Sequence, residues 1–292
     1  MKAGLIVNAD DLGIDAGTTR GIVSAYQRGI VSSATLMVTT PATEEAAKIT
    51  RETELPVGLH VSLTQGRAVA GRQVYRLVDD DCEFKLSPLR LIRAHRNDGI
   101  LINQIRTEIR AQLAKALDLG LALTHIDSHQ HVHMNRVIFL VLEEEASTFG
   151  IRRIRLFREP LRALFFSGAY SQIMKRNNLA KWLVARACAR RIKPQLQTPE
   201  LFFGILNSGA VLKPVLLNLL ATVPFHKSVE ICVHPGLPDP SSTGSGSRFE
   251  AFSTSVFRRL EHDALIDPEV ASIIQKRGLV LRSFDGKPKT RS

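Results

Sequence analysis

Short apolar runs, each breaking into polar residues and each separated from the next by a stretch of helical period, constrain this chain more than any other feature. Ala3 to Val7 suits a buried strand and runs into Asn8-Ala9-Asp10-Asp11-Leu12-Gly13. Ile22, Val23 and Tyr26 then mark a helix face that stops at Gly29. Ala34 to Thr39, Pro56 to Leu63 and the run before Thr124 read as further strands, with a helix over Thr43 to Arg51 between the first two. Ile102, Ile105, Ile109, Leu113, Ala116 and Leu117 mark a long amphipathic helix ending at Gly120. After a helix reaching Gly150 come strands over Ile151 to Phe157, Leu201 to Leu206, Ser228 to Val233 and Leu279 to Phe284. Helices over Val215 to Val223 and from Asp267-Pro268-Glu269 to Gly278 fall between them. Such alternation predicts an α/β fold with mostly parallel strands rather than separate helical and β halves. Residues 67 to 88 read as an irregular insertion, and Pro240 to Ser247 as a loop. With no internal repeat and no composition break, residues 1–286 are expected to form one domain, followed by a disordered tail, 287–292.

No apolar run approaches the ~20 residues that cross a bilayer. Asp10 and Asp11 interrupt the first apolar stretch too early for a signal peptide, and three scattered cysteines (Cys82, Cys188, Cys232) make neither a disulfide framework nor a zinc knuckle. The expectation is a cytoplasmic protein. Its net charge of +11 is concentrated: between Ile151 and Lys193 twelve Lys and Arg face a single acidic residue, Glu159, and the rest of the chain is neutral. Leu164, Phe165, Phe166, Ile173, Met174, Trp182, Leu183 and Val184 are interleaved with these cations. That composition, over 151–195, fits a basic amphipathic segment lying against an anionic membrane, here the inner face, or a merely solvated face over the core. A nucleic-acid partner is not expected, because no motif or aromatic platform accompanies the charge.

The densest chemistry lies in Thr124-His125-Ile126-Asp127-Ser128-His129-Gln130-His131-Val132-His133-Met134, with four of the nine histidines and one aspartate in nine residues. The cluster stands where a strand ends and a helix begins, the place where open sheets and β/α barrels bind ligands. Its members cannot all share one ion. Positions four apart on a strand are about 13 Å apart, against a metal–ligand distance of about 2.0–2.2 Å. One ligand, or two, comes from this stretch, and the others must come from elsewhere. The bland alternative is a set of hydrogen-bonded structural histidines.

Other strand ends carry matching groups. Asp10 and Asp11 repel unless a cation or a shared proton separates them, although an Asx turn or a helix cap explains one of them equally well. His60 lies inside a strand, where a histidine is usually a core residue; Gly58 beside it permits close approach of another group. His234 ends the strand before Pro235-Gly236. Two histidines and a carboxylate are a recurring divalent-metal set that leaves positions open. A second carboxylate as base and a histidine as acid would complete metal-assisted hydrolysis.

The segments Asn8-Ala9-Asp10-Asp11-Leu12-Gly13, Gly58-Leu59-His60 with Leu63-Thr64-Gln65-Gly66, Thr124 to Met134, and Val233-His234-Pro235-Gly236 resemble, in order, the motifs of the YdjC-like carbohydrate deacetylases. Leu237-Pro238-Asp239 and the ending resemble the hopanoid-biosynthesis-associated branch of that family. The resemblance implies a distorted (β/α) barrel with its site at the carboxyl ends of the strands, one divalent metal, and removal of acetyl from an N-acetylated sugar. A hopanoid glycolipid is the substrate suggested by the branch. It also implies Asp11, His60 and His129 as metal ligands, Asp10 as the base that activates water, and His234 as acid or oxyanion-side donor. Asn8, His125, Asp127, His131 and His133 then surround the ligands or face substrate. Leu12 departs from the family's usual Phe, which touches packing only. Zinc and magnesium lead as candidate ions, with manganese, cobalt and nickel also compatible. A homodimer is compatible with all of this. The alternatives are hydrolysis of another bond, such as a phosphoester, and a non-catalytic membrane or polyanion binder on the same fold. Bridged two-metal phosphoesterases need more carboxylates, and a pure binder has little need of adjacent Asp10 and Asp11.

Overall fold

A computed structural model describes residues 1–160, 163, 176–239 and 255–289. Six parallel strands form one sheet in the order β4-β3-β2-β1-β6-β5: β1 (Gly4–Leu12), β2 (Ser33–Leu36), β3 (Val57–Val61), β4 (Ile126–Ser128), β5 (Leu201–Phe203) and β6 (Ser228–Val233). Helices α1 (Ala16–Arg28), α2 (Thr43–Thr53), α3 (Pro88–Ile92), α4 (Gly99–Asp118), α5 (Arg136–Thr148), α6 (Arg176–Ala189), α7 (Lys213–Thr222), α8 (Val256–Leu265) and α9 (Pro268–Lys276) lie between and after them. Apart from an end residue of β1 and of β5, every strand residue is buried, as expected for a parallel sheet covered on both faces.

The open side between β4 and β5 is bridged irregularly. Ile126 N–H donates to Arg153 O and Arg155 N–H to Ile126 O, while Ile154 N–H donates to Gln197 O and Gln197 N–H to Arg152 O. Residues 152–155 thus lie between β4 and the approach to β5, completing a distorted barrel. The expected strand over Ile151 to Phe157 is reduced to these bridges, and that over Leu279 to Phe284 is represented by a bridge from Leu281 to Leu5. Arg155, wholly buried, points its cation inward, among the carboxylates described below.

Sequence patterns located most helices because local chemistry specifies their ends. Asp15 accepts from Thr18 N–H at the start of α1, Asn135 caps α5, and Asp267 caps α9 with Pro268 in its first turn. Along α4 Leu117 faces solvent, while Gln104, Glu108 and Gln112 are turned inward with the aliphatic residues. Helix α8 has no counterpart in the expectations; Arg258, Glu261 and His262 occupy its buried face, so its hydrophobic period is masked by polar core residues. Of the tail, residues 287–289 are described, and Lys289 Nζ donates to the carbonyls of Tyr26, Gly29 and Val31 at 2.5–2.8 Å, so this part is tied down rather than loose. The expected loop at 240–247 and most of 161–175 lie outside the described residues.

Candidate metal centre and active site

At the carboxyl end of β1 the chain takes three steps, Ala9 to Leu12, against two in β2, Ala34 to Leu36. The extra residue is a β-bulge, and Asp11 adopts a left-handed φ of 69°. Adjacent carboxylates on a regular strand point to opposite faces. The bulge breaks that rule inside the strand, which runs on to Leu12 past the expected Ala3 to Val7, and both Asp10 and Asp11 are turned into the same end of the barrel.

Asp11 stands between two imidazoles. Its Oδ1 is 2.9 Å from His129 Nδ1 and 3.4 Å from His60 Nε2. One donor atom from each of Asp11, His60 and His129 lies within 4.8 Å of the others, and all three residues are buried. The far nitrogen of each ring is engaged: His60 Nδ1 meets Asp127 Oδ1 at 2.6 Å and His129 Nε2 meets Gln65 Oε1 at 2.6 Å. Both partners accept a hydrogen bond from the ring N–H, which leaves the nitrogens facing Asp11 as lone-pair donors once a cation is present. The donor set, its spacing and the two oriented rings fit a single divalent ion. Without one, burial works against a charged His60, but Asp127, Asp10 and Asp11 outweigh it and push the imidazole up to about 10. Asp11 is held well below the usual carboxylate range; burial opposes this, and hydrogen bonds from His129 and His60 with the charge of Arg258 overcome it. Arg258 donates to Asp11 Oδ2 at 2.8 Å from the buried face of α8.

Asp10 has a different partner. The Arg155 guanidinium grips it with two bonds of 2.7 Å, donates to Glu230 Oε1 at 2.7 Å and lies 2.6 Å from Asp127 Oδ2. Asn8 Nδ2 adds a 2.8 Å bond to Asp10 Oδ1. Burial would raise the Asp10 pKa, but Arg155 reverses this and keeps the carboxylate ionised. Burial pushes Glu230 up to about 8 against the pull of Arg155. His234 lies beyond Cys232, whose Sγ is 3.2 Å from Asp10 Oδ2 and 4.0 Å from His234 Nε2. The His234 backbone N–H is fixed by Glu261 at 2.6 Å.

The remaining histidines of the cluster lie elsewhere. After β4 the chain turns through left-handed Gln130 and His131, which scatters side chains that share a parity in sequence. His125 stacks on Phe284 with ring centroids 3.6 Å apart, in space opened by Gly58, where a Cβ would fall 2.5 Å from its ring. His131 packs against Phe157, and His133 bonds Ser128 Oγ beside Phe139. Burial lowers the pKa of all three, that of His133 to about 3, so they are neutral core residues. Of the five groups expected around the ligands, Asp127 touches His60 and Asn8 touches Asp10; these three touch neither. Sequence reasoning missed Arg155, Glu230, Arg258 and Glu261 and assigned no role to Gln65. Arg155 had only a shared signal, being one of three arginines, with Arg152 and Arg153, set among the apolar residues of Ile151 to Phe157.

A parallel α/β barrel with a buried Asp-His-His cluster at its strand ends is the class that this fold and site define. The model of the family described as YdjC-like protein matches residues 4–276, and the chain belongs to that family. It is 32% identical over 282 residues to a carbohydrate deacetylase of Geobacillus stearothermophilus, covering 96% of both chains. It is 31% identical to a chitooligosaccharide deacetylase of Serratia marcescens, covering 97% of this chain and 99% of that one. A human carbohydrate deacetylase is 30% identical over 296 residues, 96% of this chain and 90% of that one. A crystal structure of an Enterococcus faecalis protein shares the fold with a TM-score of 0.72 at 23% identity, covering 98% of each chain.

Proposed function

We propose that this protein is a divalent-metal-dependent carbohydrate N-deacetylase. The single observation that carries the reading is the Asp11, His60 and His129 cluster standing next to a carboxylate, Asp10, held ionised by Arg155. Relatives that the chain matches over nearly their whole length are carbohydrate and chitooligosaccharide deacetylases, which supports an N-acetylated sugar as substrate. Asp11, His60 and His129 would hold the ion, which would supply Lewis acidity able to polarise an amide carbonyl and to lower the pKa of water to about 7.

The side chains divide the rest. Asp10 accepts a proton from the attacking water at Oδ2, in place of the hydrogen bond that the Cys232 thiol gives it. So acidic a carboxylate is a weak base, and its contribution is a fixed orientation and a charge that never needs to be generated. Arg155 holds that orientation and balances Asp10 and Asp127. His234, at the end of β6, gives a proton to the departing amine nitrogen. Asp127 and Gln65 fix the rings of His60 and His129. Purified protein should release acetate from N-acetylglucosamine conjugates, lose that activity on chelation, and regain it with one equivalent of a divalent ion. Elemental analysis of the same sample identifies the ion, zinc or magnesium foremost, and acetate release unaffected by chelation would remove the reading.

The finer substrate is a lipid-linked N-acetylglucosaminyl group such as one carried on a hopanoid. Helix α6 and the turn after it support it: Trp182 and Ala185 face the core, while Leu183 (56% exposed), Val184 (41%) and Lys181 face outward, followed past the helix end by exposed Arg190 and Arg191. An outward face both apolar and basic suits a peripheral contact with an anionic bilayer. Among the described residues no helix is long and apolar enough to cross a membrane. Vesicle co-sedimentation at low salt should show a preference for anionic lipid that Leu183→Glu weakens; indifference to lipid charge would count against the contact.

A further inference from the structure

Cys232 lies at the centre of the molecule, wholly buried, on the inward face of β6 two residues before His234. Its Sγ donates to Asp10 Oδ2 at 3.2 Å and lies 4.0 Å from His234 Nε2. One donor atom from each of Asp10, Cys232 and His234 falls within 4.8 Å of the others, and all three residues are buried. None of them belongs to the Asp11, His60 and His129 set. We propose that these three residues form a second divalent-cation site, selective for soft ions such as zinc and cadmium, in which the ion replaces the thiol proton.

Three physical points lead to it. The first is spacing. A tetrahedral zinc ion with Zn–S of about 2.3 Å and Zn–N or Zn–O of about 2.0–2.2 Å holds its donor atoms about 3.5 Å apart. The 3.2 and 4.0 Å separations bracket that value, so the site forms by small side-chain movements. The second is lone-pair arithmetic. Arg155 Nη1 takes one lone pair of Asp10 Oδ2, and the thiol takes the other. An ion at the thiol proton's position inherits that lone pair and leaves the Arg155 grip intact. The third is charge. Asp10 shares the Arg155 cation with Asp127, so its carboxylate has only part of one positive charge beside it, and replacing the thiol proton by a dication adds one positive charge next to it. In the exchange the S–H bond breaks, its electron pair becomes the sulfur–metal bond, and the proton leaves to water. Thiolate and imidazole donors favour zinc and cadmium over magnesium, which distinguishes this site from an all-oxygen cation site.

The site stands on its own geometry, but its consequence rests on the function proposed above. An ion bound there occupies Asp10 Oδ2 and His234 Nε2, the base and the acid, so a second equivalent of a soft ion inhibits the enzyme that the first one activates. The test uses the full chain with Cys82→Ser and Cys188→Ser, which leaves Cys232 as its one thiol. Titrated with cadmium alone, it should bind two equivalents, with a thiolate-to-cadmium charge-transfer absorption in the near ultraviolet. Adding Cys232→Ser, or Cys232→Ala if the serine variant does not fold, should leave one equivalent and no band. Absence of the band in the protein that retains Cys232 would overturn the site, whatever the variants do. Acetate release should fall at least tenfold with the second equivalent and be relieved of that inhibition in the Cys232 variant. A second equivalent that produces the band yet leaves acetate release unchanged establishes the site and instead removes the roles given to Asp10 and His234.

Discussion

Asp10 and Asp11 are neighbours in sequence with separate partners in space. Arg155 claims the first; His60, His129 and Arg258 surround the second. That division predicts separable losses. Asp10→Asn should keep its metal and lose about 10²–10⁴ in kcat, the usual contribution of a general base. Asp11→Asn or His129→Ala should lose the metal itself. Elemental analysis beside acetate release reads both, and full activity in all three variants would remove the mechanism. Gln65→Ala frees the ring of His129 without touching the ligand set, and partners of this kind typically contribute about 10–100-fold in metal affinity. Calorimetric titration with the metal checks it, and an unchanged affinity would show that Gln65 does not orient His129.

At the level of elements, α4 fastens the segment after β3. Gln112 donates to Ser62 O at 2.6 Å and accepts from Ser62 N–H at 3.0 Å, and Glu108 accepts from Val69 and Ala70 N–H. Gln65, which bonds His129, lies inside the stretch so held. Gln112→Leu therefore leaves buried backbone groups of Ser62 unpaired, at about 1–3 kcal/mol for each. Urea unfolding should show that loss and metal titration a weaker affinity; an unchanged stability would mean that water or relaxation satisfies Ser62. The elements also show where sequence reading stops. The period of α4 was visible in Ile105, Ile109 and Leu113, but its inward-facing Gln104, Glu108 and Gln112 add nothing to a hydrophobic pattern. Helix α8 was missed for the same reason, because Arg258 and Glu261 occupy the places where aliphatic residues would have announced a core face.

Across the whole molecule, a centre filled with ionisable groups makes stability depend on pH. His133 is typical: its pKa falls from 6.5 in the unfolded chain to about 3 when buried. Between those values the unfolded chain binds a proton that the native state refuses. Its contribution is therefore present in full above pH 6.5 and is lost as pH falls toward 3. Glu159 runs the other way. Raised to about 7 by burial, it holds a proton in the native state that the unfolded chain has released above pH 4.5, so its term improves as pH falls from 7 to 4.5. Opposing groups cancel in the difference between wild type and His133→Asn, which retains a polar atom for Ser128. The stability gap between the two should therefore close by about 1.6 kcal/mol between pH 6.5 and pH 5, at 1.36 kcal/mol per pKa unit. Urea unfolding at both values measures it, and a gap independent of pH would mean that His133 does not stay neutral.

By itself the sequence determined what local chemistry can specify. Alternating apolar runs dictated parallel strands and helices, capping residues set most helix starts, and the motifs at the strand ends singled out Asp11, His60 and His129, which the fold brings together. Tertiary structure alone decided the rest. It selected which nitrogen of each ring faces Asp11, dismissed His125, His131 and His133 into the core, and closed the barrel with residues 152–155. It also paired Asp10 with Arg155, 145 residues away along the chain. The physical reason is that hydrophobic period and capping act over a few residues. A buried charge is satisfied by whatever the fold brings against it, and nothing in its own neighbourhood names that partner.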